Sequence, residues 1–167
     1  MTILLQAFNN SNNLLLATKI LAASSMGILA GSAVNYNAII MPSLKQLASS
    51  SSLSVWAAMY ARAKPFQVLH ITVSFFGASL LYYKTKDPYY LAGALLTAGV
   101  IPYNKLFVYS VNKKLLEFRK SSRDDDKIEE MLTQWHSLHF GRTLMSCAAL
   151  ILTLYAELRG YQIRATF

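Results

Sequence analysis

The chain has 167 residues, 54% of them hydrophobic and 14% charged, with 16 Lys and Arg against 8 Asp and Glu. Soluble domains carry about 25% charged residues. This deficit, with several long apolar runs, excludes an ordinary water-soluble domain and points to one integral membrane domain over residues 1–167. The net charge of +8 does not imply nucleic acid as a partner, because the basic residues sit mostly between apolar runs, where they meet lipid headgroups, and no nucleic-acid fold signature accompanies them. The single cysteine, Cys147, excludes an intramolecular disulfide and Cys-x-x-Cys chemistry.

The N-terminal stretch through Asn13 lacks a basic leader and carries asparagines where a signal peptide would be apolar. The first apolar run, about 14–41 and ended by Pro42, is expected to serve as targeting signal and first span. Lys19 lies near its start, placed to snorkel. Ala23, Gly27, Gly31 and Asn35 recur at steps of four, which predicts a closely packed face of small residues that carries Asn35 inward.

Residues 43–64 read as an interfacial helix with Trp56 and Tyr60 at headgroup level, and Pro65 either starts or kinks the second span, about 66–83. A tight turn at Lys84 to Pro88 makes the next span an antiparallel neighbour, with Tyr82-Tyr83 and Tyr89-Tyr90 as an aromatic belt across it. The third span, about 89–111, contains Pro102, then Tyr103, Asn104 and Lys105. Asn112 to Gln134 is a charged hairpin, with a turn expected at Ser121 to Arg123 and the next helix starting near Asp124.

The fourth span, about 138–158, is introduced by Trp135-His136-Ser137-Leu138-His139-Phe140-Gly141-Arg142. On a helix Trp135, His139, Arg142 and Ser146 share one face. The predicted fold is all-α: a membrane four-helix bundle, up-down-up-down, with helices three and four extended beyond the membrane. The first and third loops hold nine Lys and Arg and the opposite side about four, which places both long loops in the cytosol. Asn9-Asn10-Ser11 is a glycosylation sequon on the other side.

In that topology Asn35 and Asn37, His70, Tyr103 and Asn104, and His139 and Arg142 all lie one to two turns in from the same end of the bundle. Facing helices build sites in this way. Histidine is suited to move a proton near neutral pH, and Arg, Tyr and Asn to stabilise an oxyanion. That set suits removal of an acidic C–H proton from a phenolic or ketonic substrate dissolved in lipid, with His139 or His70 as base. Arg142, Tyr103 and Asn104 would bind the oxyanion, with Asn35 facing them and Trp135 as a wall. A haem or metal on His136, His139 and His70 is the alternative use of the histidines.

The chain also resembles a family of small four-span membrane proteins that includes the anthrone oxygenases. The resemblance is carried by Met41-Pro42 with Leu44 after it, by Pro102-Tyr103, by Asn112-Lys113-Lys114-Leu115, and by Trp135 followed by His139 and Arg142. Asn104 stands where many members carry Thr. The resemblance implies oxidation of an anthrone-like aromatic polyketide to an anthraquinone by O2, with no cofactor, and adds Asn112 to the substrate-binding set. It sits with an endomembrane location of the endoplasmic-reticulum type, a mitochondrial membrane being the other candidate. The partners expected are the bilayer, a hydrophobic aromatic small molecule, O2 and a second copy of the chain. The competing reading is a non-enzymatic membrane subunit, assembly factor or scaffold that docks through the charged hairpin, residues 113–130.

Overall fold

A computed structural model of the chain describes residues 11–121 and 125–165. The sequon residues Asn9 and Asn10 and the turn residues Ser122, Arg123 and Asp124 lie outside the described residues. Four helices are long and apolar enough to cross a membrane: Asn13–Leu44, Ser49–Thr85, Pro88–Lys120 and Asp126–Gly160, hereafter the first to fourth spans. They form an all-helical bundle in which each span packs on its chain neighbour and the first closes against the fourth. Contacts pair rising with falling numbers: Ala22 lies against Gly77 and Ser25 meets His70, while Tyr103 meets Leu138 and Asn112 meets Trp135. Leu16, Ile20, Phe76, Leu95, Leu106 and Ile151 are exposed around the outside. Such an apolar exterior suits lipid rather than water, and the chain is an integral membrane protein.

The helices outrun the membrane. Ser49–Thr85 has 37 residues, and at about 1.5 Å per residue it is nearly twice the ~30 Å of a hydrocarbon core. It is one continuous helix, so Pro65 neither starts the span nor separates an interfacial segment from it. Trp56 is buried in the core rather than presented to the surroundings. The loop to the third span is short. The second span ends with Lys86 in the left-handed region (φ 58°), its N–H bonded to the Tyr82 carbonyl, and the Asp87 carboxylate caps the Tyr89 N–H. Of the tyrosines beside it, Tyr90 is buried in the core rather than part of a belt, while Tyr83 is exposed.

The small-residue stripe of the first span is not its packed face. Gly31 and Asn35 are exposed, and an added Cβ on Gly27 or Gly31 would meet nothing within 4 Å. The buried face is Ala22, Ser25, Met26, Leu29, Ala30 and Ala33. Small residues only permit close approach. What draws a face inward is the larger apolar area beside it, here Met26 and Leu29. The close approaches are made by glycines of the other spans. A Cβ on Gly77 would lie 2.9 Å from the Ala22 Cβ, and one on Gly141 would overlap the Tyr103 ring and hydroxyl.

Two spans carry a π-helical turn, at Tyr36–Ile40 and at Asn104–Val108. Each adjoins a proline, Pro42 or Pro102, which has no N–H for the ordinary ladder. The Met41 N–H reaches the Tyr36 carbonyl, and the Tyr109 N–H the Asn104 carbonyl. Such turns favour functional sites.

The core is layered along the bundle axis. Ala22, Leu81, Tyr90 and Ala156 close one end. A layer of Met26, Ala78, Ala94 and Ala149 follows, then one of Leu29, Ile71 and Val100. At the charged end a larger cluster joins Met41, Leu44, Leu53, Trp56, Val111, Leu115, Ile128, Leu132 and Trp135.

Candidate functional site

Between those last two layers the packing opens into a cavity of about 620 Å³. Small-molecule sites run roughly 300–1,000 Å³. Both π turns border it, Tyr36 from the first and Asn104, Lys105 and Val108 from the second. The second span contributes Trp56, Tyr60, Lys64, Gln67 and Ile71, the third also Asn112, and the fourth Trp135, His139 and Arg142.

The fourth-span face is fixed by its neighbours. Trp135 Nε1 donates to Asn112 Oδ1 at 2.7 Å, both residues buried. So held, the indole stacks on the His139 ring, centroids 4.6 Å apart and planes 23° apart. Tyr36 meets His139 edge-on at 5.6 Å and Trp135 at 6.5 Å. Trp56 crosses Trp135 at 5.9 Å and stacks on Tyr60 at 5.3 Å. Trp135 and Tyr36 thus hold one imidazole between them, with Trp56 and Tyr60 extending the aromatic box behind the indole.

Other polar atoms in this wall lack partners in the protein. Both His139 ring nitrogens, Arg142 Nε and Nη2, and Trp56 Nε1 are buried without a hydrogen bond. His139 is 1% exposed and Arg142 4%. Buried polar groups are nearly always paired, and each exception needs a reason. Here five such atoms belong to three residues of one cavity wall, and most of them are donors. The arrangement suits a flat ligand with acceptor oxygens.

Of the residues singled out in the sequence, His139, Arg142, Asn104, Asn112 and Trp135 meet at the cavity. The remaining three do not line it. His70 turns to the first span, its Nδ1 3.3 Å from Ser25 Oγ, with Phe66 against its ring. Asn35 is exposed, and its neighbour Asn37 is the one turned inward, donating to Thr143 Oγ1. The Tyr103 hydroxyl donates to the Leu138 carbonyl at 2.8 Å, and its ring packs over Gly141, so it locks the third span to the fourth. His70 thus lies apart from His139, and no group of three or more His, Cys, Asp or Glu able to hold a metal occurs among the described residues. Sequence reasoning missed Tyr36, Trp56, Lys64, Gln67 and Lys105. Tyr36 lies between Asn35 and Asn37, and the π turn that begins at it shifts the helical register from there on.

A family model described as anthrone oxygenase matches residues 56–152, more than half of the chain. The chain belongs to the anthrone oxygenase family. No curated protein and no solved structure matches it significantly. The segment matched by the anthrone oxygenase model begins at Trp56 and takes in Asn104, Asn112, Trp135, His139 and Arg142, so it contains every cavity residue named above except Tyr36.

Proposed function

We propose that the chain is a membrane-embedded oxygenase that converts an anthrone-like aromatic to its anthraquinone with O2 and without a cofactor, in an endomembrane. One observation carries the reading: the unpartnered nitrogens of His139 and Arg142 stand together in the wall of an aromatic-lined cavity within the bundle. His139 as a neutral imidazole takes a proton from the central CH2 of the anthrone. The electron pair moves onto the carbonyl oxygen, giving a phenolate-type anion that Arg142 and the Trp56 indole N–H stabilise. The anion passes an electron to O2, and the two radicals combine at the ring carbon as a peroxide. Protonated His139 returns its proton to the peroxide, and loss of the remaining C–H proton to the freed imidazole with cleavage of the O–O bond gives the second carbonyl and hydroxide, which takes that proton to leave as water. One anthrone and one O2 yield one quinone and one H2O.

The test is quinone formation from anthrone by the protein in lipid nanodiscs. The expected result is turnover above protein-free discs, reduced roughly 10²-fold or more by His139→Ala and strongly by Arg142→Leu in folded protein. A wild-type rate equal to that of empty discs would dispose of the reading, and full activity in both variants would move the site elsewhere. A metal or haem requirement shows as a visible band or as chelator sensitivity of the same preparation.

A further inference from the structure

The cavity is not closed on all sides. The residues that line it from the first and fourth spans are buried or half-buried, with Trp135, His139 and Arg142 all in the core. Those exposed belong to the second and third spans alone: Lys64 and Val68 on one side, Ile101, Lys105 and Tyr109 on the other. Val68 is 54% exposed, Ile101 55% and Tyr109 60%. The mouth therefore opens sideways, between two membrane spans, rather than along the bundle axis. Its lip is apolar at Val68 and Ile101 and basic at Lys64 and Lys105. Among the described residues, three cations, Lys64, Lys105 and Arg142, line the cavity, and no acidic residue does.

We infer that the gap between the second and third spans is a lateral portal through which an anionic aromatic amphiphile enters from the bilayer, its acidic group held by Lys64 and Lys105. This rests on the reading of the cavity as an aromatic-substrate site. The geometry supplies the fit. The apolar lip passes a ring system already dissolved in the leaflet. Long lysine side chains lie along apolar walls and put their charges at the membrane surface, so they meet a carboxylate or phenolate that stays there. The ring end then lies toward the aromatic box, and the acidic end fixes which edge of the ring system faces His139. A neutral aromatic of the same size enters by the same gap but lacks that anchor.

The two tryptophans of the chain, Trp56 and Trp135, both line the cavity and report its occupancy by fluorescence. Anthraquinone-2-carboxylate and 2-methylanthraquinone serve as anionic and neutral quenchers, in nanodiscs of phosphatidylcholine, whose headgroup has no net charge. Both are expected to quench saturably, with occupancy following their mole fraction in lipid rather than their bulk concentration. The double variant Lys64→Gln/Lys105→Gln should weaken apparent binding of the carboxylate roughly tenfold and leave the methyl compound unchanged. Val68→Phe/Ile101→Phe, at exposed positions where folding is undisturbed, should slow the onset of quenching by both. Equal carboxylate affinity in the lysine variant would make the lysines lipid anchors only and overturn the recognition. An unchanged onset in the narrowed variant would overturn the portal. Turnover of anthrone by the same discs is scored separately: saturable quenching without turnover removes the oxygenase reading and leaves the portal, and turnover without quenching does the reverse.

Discussion

Trp135 shows how a single hydrogen bond organises the site. Its indole N–H is buried and donates to Asn112, and its ring plane fixes that of His139. On the proposed function Asn112 is a positioning residue that acts on the imidazole through the indole. Removing the acceptor leaves a buried N–H unpaired, at about 1–3 kcal/mol. Asn112→Leu should accordingly lower the melting temperature and reduce kcat for quinone formation with KM little changed. The second substitution Trp135→Phe removes the stranded N–H and should return part of the lost stability without returning activity. A thermal-melt double-mutant cycle with steady-state kinetics on the four proteins checks this. A rise in KM alone in the Asn112 variant would indicate direct substrate contact instead.

At the scale of elements, the third and fourth spans are registered by Tyr103 and Gly141. The hydroxyl reaches the Leu138 carbonyl because residue 141 has no side chain to block the ring. Gly141→Ala should shift the two helices and cost about 1–3 kcal/mol, with a loss of activity, since His139 and Arg142 lie on either side of position 141. Tyr103→Phe should cost only about 1 kcal/mol, the worth of one hydrogen bond. Combined with Gly141→Ala it should recover part of the alanine's cost, because the overlapping hydroxyl is gone. Strict additivity in denaturation of the four proteins would show that the pair is not coupled. The same elements show what was legible in the sequence. Helical periodicity alone puts Trp135, His139 and Arg142 on one face, and that face is the site wall. Periodicity assumes an unbroken helix, and at Tyr36–Ile40 and Asn104–Val108 the helix widens to a π turn. The Gly27–Gly31 stripe failed for a different reason. Spacing gives the faces of a helix, but which of them packs depends on what the other spans present, as Gly77 does to Ala22.

Across the whole molecule, the charged end and the cavity share one core. Trp56 and Trp135 belong both to the cavity wall and to the cluster that holds Leu115, Ile128 and Leu132 together. The length of the helices beyond the bilayer thus has a use, since it supplies the apolar packing that backs the aromatic box. The opposite end, around Leu81 and Tyr90, shares no residue with the cavity. Leu115 and Leu81 are both fully buried, so their truncation to alanine should cost a similar amount, about 2–5 kcal/mol each. Their effects on function should differ. Leu115→Ala loosens the layer on which Trp135 rests and should lower quinone formation and tryptophan anisotropy well below the melting temperature. Leu81→Ala should lower the melting temperature alone, because the layers of Met26, Ala78 and Ala149 and of Leu29, Ile71 and Val100 lie between it and the site. Equal losses of activity from the two variants, measured at a temperature where both remain folded, would mean that the bundle relaxes as one body and that the charged end has no special hold on the cavity.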